Sequence, residues 1–550
     1  MTVHSFRDSC LIHGGPIHTM ADDRSQAEAV LIKDGVIDYV GSLREARRRA
    51  PKDTASVNLK GRTALPGFIE SHTHPFAFGK ALEQVDCRHC RSIDDIVAAL
   101  RERAEATPEG EWVLGCTYDD MLLAERRHPT RQDLDRVSER HPILLMHISV
   151  HAAAVNTQAL RIAGVTADTP DPGDGRLERE ADGTPNGVLW EWAQKLFTRH
   201  LPAPTADDMR RQLRNASNQY IAAGVTSAVE AALGLAGGGT LEADAAALAA
   251  QEPWLPLRLG VAITHPLWQE LKAGSGPGLE WGGDPQRSRP LAVKLFQDGS
   301  IQLGTAALRE PYYRQSEDAR HHLIWAQTEL MSFVQEAHTA GWQVWTHANG
   351  DYAIDSVINA YATVGGNGTA RRLRHRIEHC QLANDEQLDR IAQLGLGVSF
   401  FAAHVWQWGD RHRDVFIGPE RASRMDPLRS AQRRGIRFGL HNDTPVTPID
   451  PLLSISTAAT RLTSSGEQLG EDETVSVRHA LRAMTLDSAW LAHEENEKGS
   501  LEVGKLGDVV ILGADPLEVS PDEIRRIPVE ATLVGGTPVY LRQNGGGIYD

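Results

Sequence analysis

Strand-like runs alternate with helical segments along most of this 550-residue chain, and this alternation restricts the fold more than any other sequence feature. The runs are short and apolar, and helical stretches such as residues 326–340 and 384–393 separate several of them. Eight such runs lie at residues 65–74, 224–230, 257–263, 291–296, 343–347, 374–379, 397–400 and 436–443. They predict an α/β fold, a closed (β/α)8 TIM barrel whose active site lies at the carboxyl ends of the strands.

The two ends of the chain differ from this middle part. Residues 9–62 and the C-terminal residues from about 504 onward consist of short strand-like runs joined by turns. We expect the two ends to combine into one small β-sandwich domain. The predicted domains are therefore residues 1–62 and 487–550 for the sandwich, and residues 63–486 for the barrel.

Residues from about 78 to 215 interrupt the alternation and are predicted to be a large insertion after the first barrel strand. They are rich in Arg and Glu, and the pattern predicts helical and irregular structure. A long segment at this position is expected to cover the mouth of the barrel as a lid or wall. Tyr118, His151 and Glu191 are its candidate substrate-binding residues, although packing explains each of them better when it is considered alone.

Composition narrows the class of protein. Hydrophobic residues make up 41% of the chain and charged residues 24%, as in ordinary globular proteins. The net charge of −16 disfavours nucleic acid or an anionic membrane as a partner. No apolar run is long enough to span a bilayer, and the N-terminus lacks a signal-peptide pattern. Five scattered cysteines favour a reducing cytoplasm, and the lone C-x-x-C at residues 87–90 is interpreted as structural or incidental.

The first predicted strand ends in two histidines that can bind one metal ion. In Leu65-Pro-Gly-Phe-Ile-Glu-Ser-His-Thr-His-Pro75, His72 and His74 are two residues apart, so their side chains point to the same face of a strand. An isolated H-x-H is more often a pair of surface or turn histidines. A catalytic metal also needs about three protein ligands, so the other strands must supply the rest.

Further ligand-type residues stand at the ends of other predicted strands. They are Lys294 on strand four, His347 on strand five, His379 on strand six and Asp443 on strand eight. Each has an ordinary explanation by itself: an ion-paired lysine, a core histidine, or an aspartate that caps a turn. A single metal site explains all six residues at the same end of the barrel more simply than six independent accidents.

With these motifs the chain resembles the amidohydrolase superfamily of metal-dependent hydrolases, most closely the branch that includes N-substituted formamide deformylases. The matching segments are LPGFIESHTH at 65–74, HAAAVN at 151–156, VKLFQDG at 293–299, THANGD at 346–351, RIEH at 376–379, HNDTPV at 441–446 and GSLEVGKLGD at 499–508. The resemblance covers nearly the whole chain. It does not specify a substrate.

The resemblance implies a centre of two divalent metal ions. His72, His74 and Asp443 would hold the more buried ion, and His347 and His379 the second. Lys294, carboxylated on its amine, would bridge the two ions. Nitrogen and oxygen donors suit Zn²⁺, with Mn, Fe, Co or Ni as alternatives. Asn349, where relatives often carry an apolar residue, departs from the pattern and is expected to change only the pocket lining.

The predicted activity is hydrolysis of a carbon–nitrogen bond other than a peptide bond, in a small amide, formamide or cyclic amide. A metal-activated hydroxide attacks the carbonyl, and Asp443 transfers protons as general acid and base. His404, just after strand seven, is a candidate donor to the oxyanion. Trp406 is a candidate substrate-binding residue. A surface position for His404 and loop packing for Trp406 are equally compatible with the sequence.

Other functions stay open at this level. Deamination and ester or lactone hydrolysis use the same metal centre, and a non-hydrolytic isomerase has less support. A protein that retained the barrel only for binding would be expected to have lost ligands, and none is missing from the motifs. The expected partners are a small-molecule substrate and a second copy of the chain in a homodimer, without nucleic acid or membrane.

Overall fold

The computed structural model describes residues 9–22, 25–148, 152–173, 175–275, 281–313, 323–365 and 369–543. The chain divides into two compact units, one made of Met1–Phe76 and Ala216–Asp550 and the other of Ala77–Asn215. Among the helices described, none is both long and apolar enough to cross a membrane.

The first unit contains a barrel of eight parallel strands. They are β1 (Phe68–Thr73), β2 (Val225–Leu233), β3 (Arg258–Thr264), β4 (Ser288–Phe296), β5 (Gln343–Ala348), β6 (Arg376–His379), β7 (Gly397–Phe400) and β8 (Phe438–Leu440). Each strand pairs with the next in chain order. Ser71 Oγ donates to the Leu440 carbonyl oxygen at 3.2 Å, which links β1 to β8 where the barrel nearly closes. The predicted (β/α)8 barrel is confirmed.

Helices follow the barrel strands, and local sequence signals set their ends. Asp385–Leu394 begins with a capping box in which Asn384 and Gln387 exchange hydrogen bonds of 2.9 and 3.0 Å, and it ends at Gly395 in the left-handed region. Further helices of this unit are Leu43–Arg49, Thr240–Gln251, His265–Ser275, Gln327–Thr339, Asp351–Thr363, Thr369–Leu373, Ala403–Arg411, Gly418–Ser423, Leu428–Arg433, Pro451–Thr460, Val477–Ala483 and Leu486–Leu491. Ala206–Ala222 leads into β2.

Strands from both ends of the chain form one further sheet of the first unit. They are Ser9–His18, Gln26–Lys33, Val36–Gly41, Ala55–Asn58, Thr63–Pro66, Val509–Leu512, Val529–Val534 and Thr537–Leu541. Thr63–Pro66 pairs antiparallel with Val509–Leu512, which joins the two ends. Their buried apolar side chains share one core. Both ends therefore contribute to one sheet, and the two-layer sandwich stays a prediction.

Gly67 connects this sheet directly to β1. A Cβ atom at this position would lie 2.2 Å from Thr226 Oγ1, so no larger residue fits where the chain passes from one sheet to the other. The Gly67 N–H donates to the Asp508 carbonyl oxygen at 3.0 Å. This contact explains the glycine in the LPGF segment that precedes the histidine pair.

The second unit is built on a six-stranded sheet. Its strands, in sheet order, are Arg176–Arg179, Pro185–Trp190, Ala152–Val155, Ile143–His147, Val113–Tyr118 and Val85–Asp86. Helices Ile93–Glu105, Arg131–Asp135, Thr157–Ala163 and Lys195–Thr198 accompany them. The predicted helices are present, but the prediction of helical and irregular structure missed the sheet. Ile143–His147 and Ala152–Val155 are short and uniformly apolar at their centres, so they lack the alternation that identifies a half-buried strand.

Candidate metal centre

Side chains from several strands meet at the carboxyl end of the barrel. Donor atoms of His72, at the end of β1, of His74, just after it, and of Asp443, after β8, lie within 4.8 Å of one another. His74 Nε2 is 3.2 Å from Asp443 Oδ1, and His72 Nε2 is 3.6 Å from the same oxygen. The structure therefore brings three of the six predicted ligands together at the spacing of a metal site.

His347 in β5 and His379 at the end of β6 lie beside this group. Their ring centroids are 4.6 Å apart, and the His379 ring is 4.8 Å from that of His72. The His347 Nε2 atom is 2.9 Å from the Gly299 carbonyl oxygen, which can only accept, so Nε2 carries the proton and Nδ1 keeps a lone pair. Burial, together with the charge of Lys294, lowers the pKa of His347 to about 4 and keeps the ring neutral.

The backbone is in an uncommon conformation at two of these residues. His379 has a φ of 64° and Asp443 a φ of 53°, both in the left-handed region. His and Asp are among the few residues enriched there, and such conformations cluster at functional sites. Burial alone would raise the pKa of Asp443, but the neighbouring His72 and His74 hold it well below its usual range. The carboxylate is therefore ionised at neutral pH.

Lys294 in β4 adds a buried amine to the same end of the barrel. It is 1% exposed, and among the described residues its Nζ atom has no hydrogen-bond partner. Burial lowers its pKa to about 8, because desolvation disfavours the ammonium form. A buried polar atom without a partner is costly. This orphaned amine, on the strand whose Phe296 pairs with His347, fits a divalent metal centre at this end of the barrel.

Buried carboxylates orient the two histidines of the first strand. His72 Nδ1 hydrogen-bonds Glu378, which in turn accepts from Arg376 Nε and Nη2 at 2.5 and 2.7 Å. His74 Nδ1 is 3.1 Å from Glu230 Oε1. With Nδ1 of each ring held by a carboxylate, Nε2 is the nitrogen that faces Asp443. This arrangement is typical of metal-ligating histidines, whose second nitrogen donates to a fixed acceptor.

Asp298 ties the loop after β4 to the loop after β5. Its buried carboxylate accepts the backbone N–H groups of Ala307, Asn349 and Gly350 at 3.0, 3.0 and 2.8 Å. Its Oδ1 lies 3.6 Å from His347 Nε2. Asn349 Nδ2 lies 3.0 Å from His347 Nε2 and donates to Gly299 at 2.8 Å, so its side chain contacts a candidate ligand rather than only lining a pocket.

His404 and Trp406 lie on the helix that follows β7. His404 is buried, its ring is 6.2 Å from that of His379, and its Nδ1 is 3.6 Å from Asp426 Oδ1. The surface-loop interpretation of His404 is therefore wrong. The Arg525 guanidinium lies 4.4 Å above the ring of the half-buried Trp406, so packing accounts for at least one face of that ring.

The candidate substrate-binding residues of the insertion belong to the second unit. Tyr118 is buried, and its hydroxyl is 2.8 Å from His128 Nδ1. Glu191 is exposed and has a φ of 49°. His151 lies outside the described residues. Their part in substrate binding stays a prediction.

Sequence reasoning did not assign a role to Glu230, Asp298, Glu378 or His441. His441 carries a signal that could have identified it, because it precedes Asp443 by two residues, the spacing that relates His72 to His74. Its Nε2 lies 3.1 Å from His379 Nδ1. The three acidic residues carry no such signal, since a buried carboxylate looks like any other acidic residue until its partners are known.

Known proteins resemble this chain over most of its length. The model of the Amidohydrolase family matches residues 55–540. The chain is 29% identical to the N-substituted formamide deformylase of Arthrobacter pascens, over 98% of this chain and 99% of that one. It is 30% identical to Protein LONG AFTER FAR-RED 3 of Arabidopsis thaliana, over 96% and 91%. The crystal structure of an uncharacterized metal-dependent hydrolase from Pyrococcus furiosus superposes with a TM-score of 0.75 at 25% identity, over 93% and 100%.

Proposed function

This chain belongs to the amidohydrolase family of metal-dependent hydrolases, and from that premise we propose that it hydrolyses a carbon–nitrogen bond in a small amide, formamide or cyclic amide. One observation carries the proposal: donor atoms of His72, His74 and Asp443 lie within 4.8 Å of one another, at the end of the barrel that also holds His347, His379 and the buried amine of Lys294. Similarity to a protein named N-substituted formamide deformylase supports the choice of bond.

We assign His72, His74 and Asp443 to one divalent ion, and His347 and His379 to a second. Lys294 would join the two as a carbamate, formed when its neutral amine adds CO₂ and releases one proton to solvent; the lowered pKa increases the neutral fraction of the amine. The mixture of imidazole and carboxylate donors suits Zn²⁺. When bound, such ions supply a nucleophile from water at neutral pH and polarise the carbonyl group of the substrate.

Side chains of the protein would transfer the protons and donate the hydrogen bonds that the reaction needs. Asp443 would be ionised at neutral pH and so would have the free oxygen needed to accept the proton of the attacking water and pass it to the leaving nitrogen. His404, buried near His379, would donate to the oxyanion that forms on the carbonyl oxygen. Glu378 and Glu230 would hold the first-strand histidines in one orientation throughout the reaction.

A substrate screen tests this assignment. The protein is loaded with Zn²⁺ and presented with formamides, N-acyl amines, lactams, amino-heterocycles and simple esters, while amine, acid and ammonia are measured. We expect release of an amine and an acid in equal amounts or, from a lactam, one ring-opened product that carries both groups. Ammonia from an amino-heterocycle would instead identify a deaminase, and turnover restricted to esters would identify an esterase. Either result would contradict the proposed bond.

A further inference from the structure

A chain of hydrogen bonds runs inward from His379 through residues that the proposed reaction does not use. His379 Nδ1 lies 3.1 Å from His441 Nε2, and His441 Nδ1 lies 2.7 Å from Ser399 Oγ. Ser399 Oγ lies 2.8 Å from Ser71 Oγ, which donates to the Leu440 carbonyl oxygen at 3.2 Å. All four side chains are at most 2% exposed.

The donor and the acceptor of each hydrogen bond in this series follow from its last acceptor, the Leu440 carbonyl oxygen. A carbonyl oxygen has no proton, so if the 3.2 Å contact between Ser71 Oγ and the Leu440 oxygen is a hydrogen bond, Ser71 is its donor. The single hydroxyl proton of Ser71 is then used in this bond, so Ser71 accepts from the hydroxyl of Ser399. The hydroxyl proton of Ser399 is used in the bond to Ser71, so Ser399 accepts a hydrogen bond from Nδ1 of His441. The His441 ring therefore carries a proton on Nδ1.

The same reasoning shows which ring nitrogen of His379 carries the proton. A neutral His441 with a proton on Nδ1 has only a lone pair on Nε2. Burial strongly disfavours a charged ring at this position, which is 0% exposed. Nδ1 of His379, 3.1 Å away, must then donate, and Nε2 of His379 keeps the lone pair that a metal ion needs.

We infer that His441 is a positioning residue that fixes the tautomer and orientation of His379, so that the Nε2 lone pair of His379 is available to a metal ion. The inference rests on the proposed function, because it assumes that His379 is a ligand. His441 also stacks on His72, with ring centroids 4.8 Å apart and planes at 25°. It thus supports candidate ligands from two strands, β1 and β6.

The geometry also allows His441 to be a metal ligand itself, and the test below distinguishes this role from that of a positioning residue. Donor atoms of His72, His379 and His441 lie within 4.8 Å of one another, so His441 could itself bind an ion. The bond to Ser399 leaves Nε2 of His441 directed at His379, and a single lone pair cannot both accept that bond and bind a metal. A ligand and a positioning residue therefore respond differently to substitution.

The test measures Zn²⁺ affinity and stoichiometry in the full-length protein, by competition with a chromophoric chelator. His441→Phe keeps a ring of similar size but removes the acceptor, whereas the amide of His441→Gln can still accept from His379 and donate to Ser399. We expect His441→Phe to bind Zn²⁺ about 10–100-fold more weakly, the usual effect of losing such a partner, with unchanged stoichiometry at saturation. His441→Gln should recover most of the loss.

Ser399→Ala gives an independent readout if His441→Phe does not fold. It removes one hydroxyl and frees His441 to change its tautomer, so a several-fold loss of Zn²⁺ affinity is expected. Wild-type affinity in both His441→Phe and Ser399→Ala would overturn the inference. Loss of one ion per chain in both His441 variants, without recovery at saturation, would make His441 a ligand and also overturn it. A wild-type protein that binds no divalent metal would instead refute the proposed function.

Discussion

We propose that Asp443 serves both a metal ion and a proton. Its Oδ1 is 3.2 Å from His74 Nε2, and its backbone is in the left-handed region, so its position is fixed by several contacts. Asparagine retains an oxygen ligand but is a far poorer base. We therefore expect Asp443→Asn to keep most of its metal and to lose about 10²–10⁴-fold in kcat.

This expectation is checked by measuring kcat and metal content together. Asp487→Asn is a matched control, because Asp487 is also a buried aspartate of the first unit but lies on the helix Leu486–Leu491, in neither group of candidate ligands. The control should keep wild-type kcat. A near-normal kcat in Asp443→Asn would mean that another group moves the proton.

At the residue scale, the sequence identifies candidate ligands more readily than the residues that contact and orient them. His72 and His74 could be found because a spacing of two residues on a strand places side chains on one face. Lys294, His347, His379 and Asp443 could be found because parallel strands end at one edge of a barrel. Glu378 and Asp298 could not, because their function depends on partners that only the folded chain brings into contact.

At the scale of an element, the loop after β4 depends on one buried carboxylate. Removing Asp298 would leave the backbone N–H groups of Ala307, Asn349 and Gly350 without their acceptor. Each buried unsatisfied group costs about 1–3 kcal/mol. We expect Asp298→Ala to lower the free energy of unfolding of the metal-free protein by about 3 kcal/mol or more, measured in urea.

The exposed Asp244, on the helix Thr240–Gln251, provides the comparison for this loop. Asp244→Ala should change the free energy of unfolding by less than about 0.5 kcal/mol. If Asp298→Ala were equally mild, the three hydrogen bonds would not hold the loop, and the position of His347 beside it would need another explanation.

Strands and helices were predicted from the regular alternation of apolar runs with helical segments, so the prediction succeeded only where the chain shows that alternation. The barrel strands are apolar runs separated by helices, and all eight were found, with boundaries that differ by a few residues. The sheet of the second unit was missed because strands such as Ile143–His147 are short apolar runs that do not alternate regularly with helical stretches. Apolar runs of this length do not distinguish a strand from a buried turn of helix.

At the scale of the whole chain, a buried ion pair connects the barrel to the sheet built from both termini. Arg258, at the start of β3, contacts Asp508 through Nε and Nη2 at 2.7 and 3.0 Å. Asp508 is 5% exposed and immediately precedes Val509–Leu512. Removing one partner strands the other as a buried charge, so Arg258→Ala should cost about 3–5 kcal/mol in the free energy of unfolding.

The exposed pair of Arg48 and Glu45, 2.6 Å apart, is the control for this link. Arg48→Ala should cost at most about 1 kcal/mol, as surface pairs do. Equal effects of Arg258→Ala and Arg48→Ala in urea would show that the buried pair does not join the two parts of the unit.

The central claim is a centre of two metal ions bridged by Lys294, and counting metals in the purified protein tests it most directly. Elemental analysis of the wild type should give two divalent ions per chain, with extra planar density beyond Nζ of Lys294 in crystals. Lys294→Ala should lose the bridging group and nearly all activity. Added acetate or propionate should restore part of that activity. One ion per chain and a bare ammonium at Lys294 would contradict the account.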